Sequence, residues 1–253
     1  MTARTQPHVR AQHADSIAPP DATPLARRLP RIGSRMVVSR IIGGLFLLGF
    51  LTYGPGSMLM TSVTGGEAFL PGVPTRQTVL VFGALLMLLV TAIDICKAIL
   101  FFPIVDRYGR RTALAYLATM IFEVAMMAVG ILALLLLVPL ADQAASGALN
   151  AGVAQSLGSL AVDANELAYQ MAQMSLGFGA LFLCALLLRS GLVPRALAIL
   201  GLAGYALHMV GAICELFGLH ISLFMLIPGG IFEIAVAIWL LVKGFKPAAY
   251  APA

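Results

Sequence analysis

The chain has 253 residues, of which 60% are hydrophobic and only 11% charged, with a net charge of +5 and a mean hydropathy of +0.96. A soluble domain carries about 25% charged residues, so a water-facing globule is excluded and a polytopic membrane protein is expected. The positive balance follows from membrane topology rather than from a nucleic-acid footprint, because its members sit between apolar runs.

Residues 1–35 hold no apolar stretch and carry Pro19, Pro20, Pro24 and Pro30 among Ala and Arg. They are expected to form a disordered basic cytoplasmic arm. A signal peptide needs an apolar region near its start, and none stands there. Six apolar runs follow, at 36–60, 77–104, 112–139, 167–189, 194–216 and 221–243, each long enough to be read as a membrane span. The expected fold is an all-α bundle of six transmembrane helices over 36–245, with a short tail at 246–253.

The links between runs carry their own signals. DRYGRRTAL (106–114) turns at Gly109, and RSGLVPR (189–195) joins the fourth and fifth runs. Gly191 suits a helix C-terminus and Pro194 the first turn of the next helix, which makes a tight antiparallel hairpin. The one long link, 141–166, is rich in Ala, Gly and Ser and is expected to carry a short helix on the outer surface. In the sixth run, Pro228-Gly229-Gly230 is expected to interrupt the span, either as a kink or as a helix start after a re-entrant segment. Such breaks at mid-membrane depth line ligand sites, because freed backbone groups need partners.

Basic residues fix the orientation. Arg4, Arg10, Arg27, Arg28, Arg31, Arg35 and Arg40 precede or open the first run. Arg107, Arg110 and Arg111 follow the second, Arg189 and Arg195 flank the fourth-to-fifth turn, and Lys243 and Lys246 follow the sixth. The opposite links hold Arg76 alone, with Glu67, Asp142, Asp163 and Glu166. Both termini are therefore expected in the cytoplasm, where basic side chains also gain about 1 kcal/mol each beside anionic lipid. Cys96, Cys184 and Cys214 all lie within runs and are expected as free thiols.

Between helices in lipid, packing and buried polar contacts replace the hydrophobic force. Small and polar residues should then share one face, at alternating spacings of three and four. The fourth run gives Gln170, Gln173, Gly177, Ala180 and Cys184; the fifth gives Gly201, Gly204, His208, Gly211 and Glu215. The third gives Thr112, Tyr116, Thr119, Glu123, Met126 and Gly130, and the second Gly83, Met87, Val90, Asp94 and Lys97. Gly230, Glu233 and Ala237 continue the pattern in the sixth.

At about 1.5 Å per residue, Asp94, Glu123 and Glu233 fall near the midplane, and Lys97 lies one turn further in. His208, Gln170 and Gln173 fall on the outer side, with Glu166 and Glu215 near the surface. An inner acidic zone around Lys97 and an outer, mostly neutral zone are expected. A central Asp or Lys costs about 2.5 to 3.5 kcal/mol, so three carboxylates against one ammonium should not all stay ionised, and one or two should carry a proton. A purely structural arrangement is the alternative, with Asp94 paired to Lys97 and the glutamic acids bonded to Thr or backbone carbonyls.

The stretch LLLRSGLVPRALAILGLAGYAL through AICELFGLHISLFMLIPGGIFEIAVAIWLLVKGF, with RIIGGLFLLGFLTYGPGSML and the Glu of the third run, resembles a bacterial membrane family catalogued as domain of unknown function 4386. The likeness covers roughly 36–245. It implies a six-span, multi-pass protein of the bacterial inner (plasma) membrane and supplies no activity. IDICKA (93–98) and the long basic arm depart from the usual members, so no role for Asp94 or Lys97 comes from the likeness. DRYGRRTAL also resembles the cytoplasmic loop signature of major facilitator transporters. However, Phe102 stands where that signature has a small residue, and six runs stand in place of twelve.

No catalytic set is legible. Of the histidines beyond the arm, His208 and His220 stand twelve residues apart, unlike the paired ligands of metal hydrolases, and no nucleophile elbow, phosphate loop or dinucleotide fingerprint occurs. No metal or cofactor is expected. The expected role is a non-catalytic binder of a membrane partner, a lipid or a small ligand, within the bilayer and open to self-association. A proton-linked carrier of a small solute, using the intramembrane acids, is the alternative.

Overall fold

The computed structural model describes residues 32–246, with side chains from Met36 onward. The expected basic arm lies outside the described residues up to position 31, as does the tail beyond Lys246. All regular structure described is helical: α1 (Ile32–Thr64), α2 (Gln77–Leu135), α3 (Leu137–Ala145), α4 (Ala151–Ser190), α5 (Arg195–Leu216) and α6 (Ser222–Val242). Two single 3₁₀ turns, Leu70–Gly72 and Pro74–Arg76, bridge α1 to α2. Among the described residues, five helical stretches are long and apolar enough to cross a membrane. The protein is a multi-pass membrane protein.

The 59 residues of α2 do not form one rod, because Gly109 leaves the helical region. Phe101 and Tyr116, fifteen positions apart, would lie about 22 Å apart along a straight helix. Their rings instead meet edge to face at 6.4 Å, so the two arms of α2, 77–108 and 110–135, fold back on each other. A side chain at Gly109 would stand 2.9 Å from Leu186 of α4, which seats the turn against the end of that helix. Packing continues from α1 to α2, α2 to α4, α4 to α5, α5 to α6, and α6 back to α1, closing a ring.

Two expectations need correction. The link 141–166 holds no separate surface helix past Ser146; α4 begins at Ala151, sixteen residues before the expected start of the fourth run. Asn150 caps it, its Oδ1 accepting from the Gly152 and Val153 N–H groups, and the Ala-rich sequence beyond has the highest helix propensity. A short helix does form earlier, at α3. It bends away after Leu136 because Pro139 has no N–H to give the Leu135 carbonyl.

The second correction concerns Pro228-Gly229-Gly230, which does not break α6: the helix runs unbroken from Ser222 to Val242. Pro228 removes one backbone donor only, and the glycines that follow serve a close crossing. A Cβ on Gly204 of α5 would stand 2.7 Å from the Gly229 nitrogen and 2.8 Å from the Pro228 oxygen. The motif marks where two backbones touch.

The interior and the surface exchange their usual characters. Leu51, Met58, Leu85, Ile99, Phe224 and Ile238 are exposed, while the buried polar set is Ser39, Thr52, Asp94, Lys97, Glu123, Gln170 and His208. Lipid on the outside makes that the favourable arrangement. One end of the ring gathers the basic turns. Arg40 Nε donates to Leu241 O at 3.2 Å, Lys246 N donates to Leu192 O in the α4–α5 turn, and Gly191 ends α4 with a positive φ of 65°. Arg107, Arg110, Arg111, Arg189 and Arg195 sit around the Gly109 and Gly191 turns at that same end.

Candidate functional site

The expected inner residues come together. Asp94 and Lys97, one turn apart on the first arm of α2, pair at 2.5 Å with both side chains about nine-tenths buried. Phe46 of α1 covers the pair, its ring centroid 4.5 Å from Lys97 Nζ, in the geometry of a cation–π contact. The ammonium also interacts electrostatically with Glu233 of α6 and with Glu123 of the second α2 arm. Four ionisable groups from three stretches of chain thus share one interior. Asp94–Lys97 satisfies the structural alternative raised above, but the glutamic acids do not find Thr or backbone partners. Glu233 Oε1 accepts from Tyr205 Oη at 2.5 Å, and buried Glu123 Oε2 has no hydrogen-bond partner among the described residues. The threonines in reach are used otherwise, Thr119 donating to the Ala115 and Tyr116 carbonyls.

The outer residues form a second group. His208 Nε2 lies 3.0 Å from Gln173 Oε1, and Gln170 Nε2 donates to Glu166 Oε1 at 2.6 Å. That bond orients the Gln170 amide, since an oxygen would not face a carboxylate. Gln170 Oε1 is left buried and without a donor among the described residues. These side chains line a cavity of ≈ 160 Å³ together with Tyr169 and Ser222. A second cavity of ≈ 100 Å³ lies beside it, sharing His208 and Leu226 and reaching Tyr205, Gly230 and Glu233. The two spaces therefore adjoin between the outer group and Glu233 of the inner one. A larger one, ≈ 330 Å³ near α3, is walled by Ala, Leu and Pro. Its one polar residue, Gln155, is already engaged by Leu70 N and Glu67 O.

Glu215 stands apart from both groups. Its Oε2 accepts from Ser222 N at 3.2 Å and its Oε1 meets His220 Nδ1 at 2.7 Å, so it caps the start of α6 and holds the turn before it. The five arginines of the basic turns lie at the far end from the outer cavity and bring nothing to it.

Sequence reasoning placed Tyr116 on the polar face of the third run and passed over the other tyrosines. Four of the chain's six, Tyr53, Tyr116, Tyr169 and Tyr205, stand beside the polar groups. Tyr53 and Tyr169 stack at 5.6 Å, Tyr116 packs on Phe101 above the ion pair, and Tyr205 holds Glu233. Tyr205 alone carried a signal, its place in the middle of the fifth run, since membrane tyrosines otherwise gather at the interfaces.

Chemically, the inner group can hold and exchange a proton, and the outer cavity can hold a small molecule through hydrogen bonds. Among the described residues no three His, Cys, Asp or Glu side chains stand together as metal ligands would. Residues 41–244 match the family described as Domain of unknown function (DUF4386). Comparison with curated proteins found no match. Comparison with solved structures found none either.

Proposed function

The chain belongs to the family described as Domain of unknown function (DUF4386), and on that premise we propose a non-catalytic, six-span protein of the bacterial inner membrane that binds a small polar ligand from the outer side. The α2 hairpin supports six spans. A straight helix of its length would measure about 88 Å, against a hydrocarbon core of about 30 Å. Basic turns gathered at one end support cytoplasmic termini.

The ligand reading is carried by one observation: six polar residues, Glu166, Tyr169, Gln170, Gln173, His208 and Ser222, line a single cavity. Polar groups in such a place are costly unless they are hydrogen-bonded or serve a ligand, and Gln170 Oε1 has no hydrogen-bond partner among the described residues. Native mass spectrometry of the protein released from its own membrane tests this. A retained small molecule, lost in the Gln170→Leu variant, is the expected result. A bare mass, together with no shift in thermal unfolding across a broad metabolite panel, would remove the reading.

A second reading, a proton-linked carrier of a small solute, is favoured by the shared His208 and Leu226 wall between the outer cavity and the one that reaches Glu233. Solute and proton would then bind in adjoining spaces. Uptake into proteoliposomes that responds to a pH gradient, and that Glu233→Gln uncouples, is the expected result. Uptake indifferent to the gradient rules out the coupling.

A further inference from the structure

We infer that the outer cavity selects a ligand bearing an ammonium group, an inference that rests on the small-ligand reading. Charge comes first. Among the described residues Glu166 is the one acidic residue lining the cavity, and no Lys or Arg lines it, so an anion would meet a carboxylate with nothing to offset it. Hydrogen-bond type comes second. Glu166 offers two carboxylate oxygens, of which Oε1 is engaged by Gln170 Nε2. One Gln170 amide hydrogen already serves Glu166, and the His208 Nε2 and Gln173 Oε1 atoms serve each other. The charged acceptor of the lining is the Glu166 carboxylate, which an ammonium with three N–H donors uses best. Shape comes third. Tyr169 lines the wall and is stacked on Tyr53, giving a fixed aromatic surface beside the carboxylate, as cation recognition favours. Glu166 and Gln170 lie one helical turn apart on α4, so the Gln170 amide holds the carboxylate in place through its bond to Oε1.

Matched four-carbon probes separate the possibilities: n-butylammonium, n-butanol and butyrate, titrated by calorimetry against the full chain in nanodiscs at neutral pH. The amine is expected to bind at least about tenfold more tightly than the acid, a difference that one charge-assisted contact supplies. Glu166→Gln should abolish that preference and Gln170→Leu should weaken amine binding several-fold. Glu166 is exposed, so its variant keeps the fold, which an unchanged unfolding temperature checks. Equal binding of the three probes, or tighter binding of butyrate, overturns the ammonium assignment and leaves the cavity as a ligand site. Failure of all three probes overturns it too. The ligand reading itself then stands or falls with the native mass.

Discussion

The Tyr205 hydroxyl donates to Glu233 Oε1 at 2.5 Å, joining α5 to α6 one turn inward of the His208–Gln173 contact. A carboxyl placed in the middle of an apolar helix is tolerable because a neighbouring helix brings it a donor. Tyr205→Phe removes that donor and nothing else of size. It should destabilise the folded protein by about 1 to 3 kcal/mol, the cost of leaving a buried acceptor unmade. Glu233→Gln keeps an amide oxygen in place and should cost less. Unfolding of the two variants in mixed micelles, compared with the parent, gives both numbers. A neutral Tyr205→Phe would mean the bond carries no stability.

Lys97 tests the inner cluster. Asp94→Ala strands a buried ammonium, which typically costs 3 to 5 kcal/mol. Glu233 and Glu123 remain near it, so a loss near the lower end, about 3 kcal/mol, is expected. Replacing both partners, as in Asp94→Ala with Lys97→Met, should recover much of the loss, because a methionine stem keeps the contact with Phe46 without a charge. The coupling energy of this cycle is the quantity to measure. A coupling near zero would show that the two groups are held apart by water in the membrane-embedded protein.

The polar layout was legible in the sequence, since polar and small residues in lipid-facing helices lie where helices meet. Alternate steps of three and four placed Asp94, Lys97, Glu123, Gln170 and His208 on inner faces, and all five are buried. Periodicity says which face is inward but not which neighbour it meets. The pairing of Glu233 with Tyr205 therefore stayed hidden, and so did the loneliness of Gln170 Oε1. Pro228 misled for a different reason: proline and paired glycines are the shared signal of a broken helix and of a close crossing. Only the position of Gly204 opposite them separates the two. The start of α4 was missed because hydropathy marks the apolar stretch, whereas helix extent here follows the Asn150 cap.

Gly204 gives a sharp steric prediction. Gly204→Ala places a methyl 2.7 Å from the Gly229 nitrogen, a backbone atom that cannot swing aside, so α5 and α6 must separate. A loss of about 1 to 3 kcal/mol follows, as for other overpacked sites. Gly49→Ala is the control, because nothing lies within 4 Å of its added carbon, and its effect should stay within about 0.5 kcal/mol. Thermal unfolding of both variants in one detergent decides between them. Equal effects would show that the α5–α6 crossing is looser than the atoms place it.

Single cysteines test the topology. With Cys96, Cys184 and Cys214 replaced by Ser, Arg110→Cys in the Gly109 turn and Arg195→Cys at the start of α5 should react with a membrane-impermeant maleimide only after cells are opened. Ser146→Cys, exposed beyond α3, should react on intact cells. The pattern follows from two facts. The α2 hairpin folds back at Gly109, and the basic turns share one end of the ring, where positive charge is retained on the cytoplasmic side. The proposed six crossings would return the chain to the side on which the first one starts. Labelling of Arg110→Cys and Ser146→Cys from the same side would mean that the second arm of α2 does not traverse the bilayer. The outer cavity would then lose its access from outside, because that arm packs on the α4 helix that carries Gln170 and Gln173.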